Sequence, residues 1–278
     1  MRRLKEIVNH KKLNKTFDLV YENIKHGQNY QLLISAMEQI QELQSFDLIL
    51  GSDRPSHDQN EIKEQGAIII SEQVAKSQIL EKIYIKLNKN NIGNQGVFIL
   101  FEGISKSQKI KTIKIDLTEN DIEDIGLSYL GQSIKNLPQL QSLNLNLSKN
   151  QISIKGIEQL FEELIQCKSL TYLTLNIIED LEKKNIIHAK QIGEYLSKCK
   201  NLKYFSLFLE KVRKSFQNSQ CDCKDFSSQI RMCDQITFLD IQIIGHIGYY
   251  QNNKSFKLFK IFKLARLVQF KHKIVYSL

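Results

Sequence analysis

EKIYIKLNKNNIGNQGVFILFEGISKSQKI (residues 81–110), KTIKIDLTENDIEDIGLSYLGQSIKNLPQL (residues 111–140) and QSLNLNLSKNQISIKGIEQLFEELIQCKSL (residues 141–170) are three consecutive blocks of 30 residues that align without a gap. The first half of each block alternates with a period of two. Ile83, Ile85 and Leu87, then Ile113, Ile115 and Leu117, then Leu143, Leu145 and Leu147 fall on one side, which predicts a strand with one buried face. The second half switches to helical spacing. Gly126, Leu130, Ile134 and Leu140, like Gly156, Leu160, Leu164 and Leu170, form one stripe of a short amphipathic helix. Between the halves stand Asn90, Asn120 and Asn150, each followed two residues later by Ile92, Ile122 or Ile152. An amide side chain both donates and accepts, so stacked asparagines predict a structural ladder that satisfies backbone groups where the chain leaves each strand.

With this register, weaker copies appear on both sides. Phe46/Leu48/Leu50, Leu173/Leu175/Ile177, Phe205/Leu207/Leu209 and Leu239/Ile241/Ile243 supply four more apolar triplets, for seven strands in all. Gly66, Ile70, Val74 and Leu80 complete the helix of the first unit, and Ile192, Leu196 and Leu202 that of the fifth. Leu33, Met37 and Leu43 match a half-unit before the first strand, which predicts an N-terminal helical region and cap over residues 1–43. The solenoid then occupies residues 44–270 and a tail residues 271–278. The repeat glycine becomes His188 and then Asp222, so the later units are degenerate. A 30-residue unit cannot bury its apolar face alone. Stacked units share one core, giving an α/β solenoid with parallel strands on a concave face and helices on a convex one.

These units resemble the leucine-rich-repeat family, in particular its ribonuclease-inhibitor-like type, whose strand segment reads L-x-x-L-x-L-x-x-N-x-L and whose helix reads G-x-x-x-L-x-x-x-L. Leu143 to Asn150 departs from that form by reading L-x-L-x-L-x-x-N, a longer variant that looks like repeats of ciliate protists. The resemblance covers about residues 30 to 270. It implies a horseshoe of about seven repeats and a scaffold or adaptor that holds another protein on its concave face, in a cytoplasmic setting such as a cytoskeletal or ciliary assembly. It also leaves open a regulator of a small GTPase, since some proteins with this repeat type act that way through polar residues at the rim of the sheet.

No G-x-x-x-x-G-K-S/T, G-x-G-x-x-G, H-E-x-x-H or G-x-S-x-G motif occurs, so the sequence assigns no catalytic residue, no metal and no cofactor, and the expected protein is not an enzyme. His188 sits in a helix slot that otherwise takes a small residue, where a structural role is expected. Five cysteines, an odd number without tight disulfide spacing, fit a reducing compartment. Cys167, Cys199 and Cys233 each precede a helix-closing apolar residue by three, and that recurrence predicts buried packing residues. Cys221 and Cys223 could join Cys233 around zinc, although a structural site wants four ligands. No apolar run is long enough to cross a membrane. The N-terminus lacks the apolar segment of a secretory signal, while its basic character remains compatible with a mitochondrial presequence.

The net charge of +9 is concentrated at one end: after Lys200 there are 13 basic and 5 acidic residues, and none of the acidic ones follows Asp240. In KSFKLFKIFKLARLVQFKHK from Lys254, the residues Lys257, Lys260, Lys263 and Arg266 oppose an apolar stripe on a basic amphipathic helix. Two readings fit. The helix belongs to the seventh unit with its lysines in solvent, or it binds an acidic surface such as nucleic acid or an anionic membrane. The solvent-side strand positions point to a protein partner instead. They are polar in the regular blocks (Lys82, Lys86, Asn88; Thr112, Lys114, Asp116, Thr118; Ser142, Asn144, Asn146, Ser148), but the position of Lys82, Thr112 and Ser142 then becomes Tyr172, Tyr204 and Phe238. Phe208, Ile178 and Ile244 follow on the same face. Strands about 4.8 Å apart would stack the three rings into a row, exposed for a partner or covered by the C-terminal tail acting as a cap.

Overall fold

The computed structural model describes residues 16–20, 43–51, 62–179, 189–211, 233, 235–245 and 269–271. Nine strands form one parallel sheet in simple chain order: β1 (Thr16–Val20), β2 (Ser45–Ile49), β3 (Lys82–Lys86), β4 (Thr112–Asp116), β5 (Ser142–Asn146), β6 (Tyr172–Glu179), β7 (Tyr204–Lys211), β8 (Phe238–Gly245) and β9 (Gln269–Lys271). Helices α1 (Lys63–Lys76), α2 (Gly93–Ser105), α3 (Asp124–Ile134), α4 (Ile154–Leu164) and α5 (Ala189–Lys198) alternate with them. Parallel strands need a crossover, and each helix supplies one while covering the same face of the sheet. This is the architecture of a leucine-rich-repeat-like α/β solenoid.

The period-two alternation translates directly into burial. In β2 to β5 the second and fourth residues are buried and the first, third and fifth are not. The inward triplets meet the helix stripes in one continuous core, in which Phe46, Ile85, Leu100, Leu130, Leu145, Leu160 and Leu175 are all fully buried. Where the helix-side residues become large, rings fill the space: Phe161 stacks on Tyr195 at 5.6 Å and meets Phe205 edge-on at 6.3 Å.

The three ladder asparagines are buried and bonded to the preceding unit. Asn120 accepts at Oδ1 from Asn90 N (3.1 Å) and Ile92 N (3.2 Å), and donates from Nδ2 to Leu87 O (2.8 Å) and Thr118 O (3.1 Å). Asn150 repeats the pattern toward Asn120 N, Ile122 N and Leu117 O, and Asn90 toward Ile62 N and Leu50 O. The residue before each asparagine, Lys89, Glu119 or Lys149, has a positive φ between 55 and 60°, which turns the chain away from the sheet. The next three ladder positions hold Asp180, Val212 and His246, none of which offers a side-chain amide. There the strands are eight residues long instead of five, with Ile177, Ile178 and Glu179 pairing to Leu209, Glu210 and Lys211. The asparagine accompanies the short strands β3 to β5 but is not required for a short strand, since β2 also has five residues with Asp53 at the ladder position.

Two expectations need correction. The sheet has nine strands, two more than the seven triplets suggest. β1 lies within the stretch assigned to an N-terminal helical region, and its TFDLV is nearly a copy of SFDLI in β2, to which it pairs residue for residue. At the other end, Gln269–Lys271 pairs with β8 and does not continue the basic helix, so the sheet reaches one residue past the expected tail boundary. Leu33, Met37, His188, Cys221, Cys223, Asp222, Lys257, Lys260, Lys263 and Arg266 lie outside the described residues.

Candidate partner-binding face

Among the described residues, the face of the sheet opposite the helices is open. Along its first row the register joins Ser45, Lys82, Thr112, Ser142, Tyr172, Tyr204, Phe238 and Gln269. Steps between neighbours are 30 residues from β3 to β6 and then lengthen to 32 and 34, yet the row is preserved because the extra residues fall outside the strands. Tyr172 and Tyr204 stack with centroids 5.5 Å apart and planes 29° apart; Tyr204 and Phe238 stack at 4.3 Å and 2°. Tyr172 is 52% exposed, while Tyr204 and Phe238 are half-buried. Phe208 shares the face but lies four residues along β7, about 13 Å from Tyr204, so it does not lengthen the stack. Ile178 and Ile244 are in β6 and β8; their side chains lie outside the described residues.

β9 bears on whether the tail covers this row. Gln269 takes the next position beside Phe238, so residues 269–271 extend the sheet sideways instead of lying over the rings. Nearer the N-terminal end the face is charged: Asp47, Lys82, Lys86, Lys114 and Asp116 project from β2 to β4, and Lys114 Nζ sits 4.6 Å above the ring of Tyr84. Tyr84 stands apart from the polar residues that mark this face in the sequence, although its strand position alone puts it there. A second apolar surface lies on the helix layer, where Ile68, Ile69, Phe98, Ile99 and Tyr129 are half-buried, Phe98 meets Tyr129 edge-on at 5.0 Å, and Ile125 is 49% exposed. Its sequence signal is the unbroken apolar runs Ala67–Ile70 and Val97–Phe101, which leave the helix without a wholly polar side.

The cysteine column is structural. Cys167, Cys199 and Cys233 are buried and reduced, at the position where Ser77 and Ser107 stand in earlier units and bond backbone carbonyls of the unit before. Burial, above all, pushes the Cys167 and Cys199 thiols from the ordinary 9.0 up to about 12. The Glu163 carboxylate adds to this for Cys167, and Cys167 and Cys233 add to it for Cys199. These folded values lie above the unfolded one, so the stabilisation is complete below about pH 9 and is lost as pH rises toward about 12, by up to about 1.4 kcal/mol per thiol and pH unit. Residue-resolved alkylation near pH 8.5 is therefore expected to leave both cysteines unmodified in the native chain and to label them fully in urea; rapid native labelling would contradict it. Among the described residues no three His, Cys, Asp or Glu side chains gather as a metal site requires, and no helix is long and apolar enough to cross a membrane.

No family profile matches the chain, and no curated protein matches it in sequence. Among solved structures, the chain is similar to leiomodin-1 actin-binding site 2, at 19% identity over 54% of this chain and 79% of that one, with a TM-score of 0.38. It is also similar to the tropomodulin C-terminal domain of Caenorhabditis elegans, at 15% identity over 61% and 92% of the two chains, with a TM-score of 0.39. At these scores the likeness carries no inference about function.

Proposed function

We propose that the chain is a ribonuclease-inhibitor-like leucine-rich-repeat scaffold, a horseshoe of about seven repeats, that holds another protein on the concave face of its sheet and catalyses no reaction. The stack of Tyr172, Tyr204 and Phe238 on the open face supports this most directly. Aromatic residues are the usual anchors of protein interfaces, and a soluble domain that leaves such a ring half in water forgoes burial it could have had. The proposed setting is cytoplasmic, in a cytoskeletal or ciliary assembly. Replacing Tyr204 and Phe238 together by serine tests the site: affinity purification with mass spectrometry is expected to lose the partner, at least tenfold, while the melting temperature stays within about 2 °C. A large fall in melting temperature would instead assign the row to a structural cover.

A further inference from the structure

We propose that the open face over β5 to β7 takes an uncharged segment of a partner protein, which seats an aromatic side chain in a notch above Ser142 against the outer face of Tyr172. This rests on the proposed partner-binding role and names the chemistry of the partner. Nine successive face positions, Ser142, Asn144 and Asn146 on β5, Tyr172, Thr174 and Asn176 on β6, and Tyr204, Ser206 and Phe208 on β7, are all partly or fully exposed, and none carries a carboxylate, ammonium or guanidinium group. On the same face the strands β2 to β4 carry five charges, and Asp240 on β8 and Glu210 near the end of β7 stand at the other border, so neutrality is local to these nine positions. Tyrosine, serine, threonine and asparagine together form the rigid-aromatic and adaptable-amide chemistry of protein-recognition surfaces. Over β6 the nearest carboxylate positions across the sheet, Asp116 and Asp240, are two strand spacings, about 10 Å, away, so a charge pressed there would lose water without a close counter-ion, which favours an uncharged partner segment.

The notch follows from the stack. Tyr204 shares its faces with Tyr172 on one side and Phe238 on the other, whereas Tyr172 has a ring on one side only. On its other side the register places Ser142, whose side chain is too short to cover a ring, and this is why Tyr172 is the most exposed of the three. One strand spacing, about 4.8 Å, is also close to the repeat of stacked rings, so an incoming aromatic over Ser142 would continue the row in step. About 13 Å further along β5, Asn146 Oδ1 accepts from Ser148 N (3.3 Å) and Oγ (2.7 Å), which leaves its Nδ2 as the donor for a backbone carbonyl further along the partner segment.

A random displayed-peptide library selected against the full chain, with the Tyr172→Ser variant as counter-selection, tests this. Peptides retained by the wild type and lost by the variant are expected to contain an aromatic residue and few charged ones. A synthetic peptide from that set should bind with less than about a twofold change between about 0.05 and 0.5 M salt. Ser142→Phe, which fills the notch with the chain's own ring, should weaken that peptide at least tenfold with no loss of melting temperature, and Ser142→Ala should leave it unchanged. Selected peptides that depend on Tyr172 but are rich in charge, or an unchanged affinity in Ser142→Phe, would overturn this inference and leave the partner-binding face standing. Recovery of no peptide that distinguishes wild type from Tyr172→Ser would overturn both.

Discussion

Replacing Asn120 by alanine is expected to destabilise the chain by about 4 kcal/mol, a large share of the 5–15 kcal/mol typical of a folded domain. Of the four backbone groups that its side chain serves, Thr118 O keeps a second partner in Lys89 N, at 2.9 Å. Leu87 O, Asn90 N and Ile92 N lose the bond that Asn120 gives them, in a place where Asn120 itself is completely buried. Each buried group left unsatisfied costs about 1–3 kcal/mol. The loss also falls at the joint between two units. Solenoid stability is a sum of unit terms and nearest-neighbour terms, so a weakened joint should broaden the urea transition as well as shift its midpoint. Asn120→Asp retains an acceptor but no donor, and should remain close to alanine because a carboxylate would then face two carbonyl oxygens. Asn136, an exposed asparagine two residues past α3 whose side chain makes a single bond, to Gln132 O, is the control and should change stability by less than about 0.5 kcal/mol on truncation. Circular dichroism in urea measures all three; an Asn120→Ala midpoint no lower than that of Asn136→Ala would refute the ladder's energetic role.

That ladder is legible in the sequence for a physical reason. A polar residue recurring at one fixed place between a strand pattern and a helix pattern cannot be a surface accident, since Asn90, Asn120 and Asn150 share spacing that only buried neighbours enforce. The strand register from β2 to β8 is legible for the same reason: residues whose side chains alternate between core and solvent tolerate no slip of one. β1 escapes a sequence reading although its TFDLV carries the alternation, because Ile24 stands where the ladder asparagine should follow and the unit has lost its strongest marker. β9 escapes it because three residues cannot display a period of two, and the apolar spacing before them is helical. For the aromatic row, the sequence places Tyr172, Tyr204 and Phe238 at one strand position, and the register agrees. What it does not contain is the exposure of each ring, which depends on the side chain in the adjacent strand: serine beside Tyr172, a ring on each side of Tyr204. The lengthening of β6 to β8 is likewise hidden, since loss of the asparagine accompanies it there but not in β2, which has five residues with Asp53 at the same position.

A matched pair of glycine substitutions should separate close packing from helix propensity. Gly103 in α2 and Gly131 in α3 are both buried helical glycines, so alanine at either gains up to about 1 kcal/mol from reduced backbone freedom in the unfolded chain. What the new methyl meets differs. At Gly103 it would lie 2.6 Å from the carbonyl oxygen and 2.8 Å from the Cα of Ser71, both backbone atoms of α1 that can yield only if the helix moves. Moving α1 opens the contact that buries Val74, Val97, Leu100 and Ile104. At Gly131 it would lie 3.1 and 3.2 Å from Cβ and Cγ of Glu163; rotation of that side chain, whose far end pairs with Lys135 at 2.9 Å, relieves the Cγ contact, and the Cβ contact, which rotation does not move, needs only a few tenths of an ångström of give between α3 and α4. Overpacking against a fixed backbone typically costs about 1–3 kcal/mol and sometimes more, enough to exceed the propensity gain. Gly103→Ala should therefore lose about 2 kcal/mol and Gly131→Ala should be neutral or slightly stabilised, read as opposite shifts of the urea midpoint at unchanged slope. Equal shifts in the two variants would mean that helix propensity, and not the approach of α2 to α1, governs these positions.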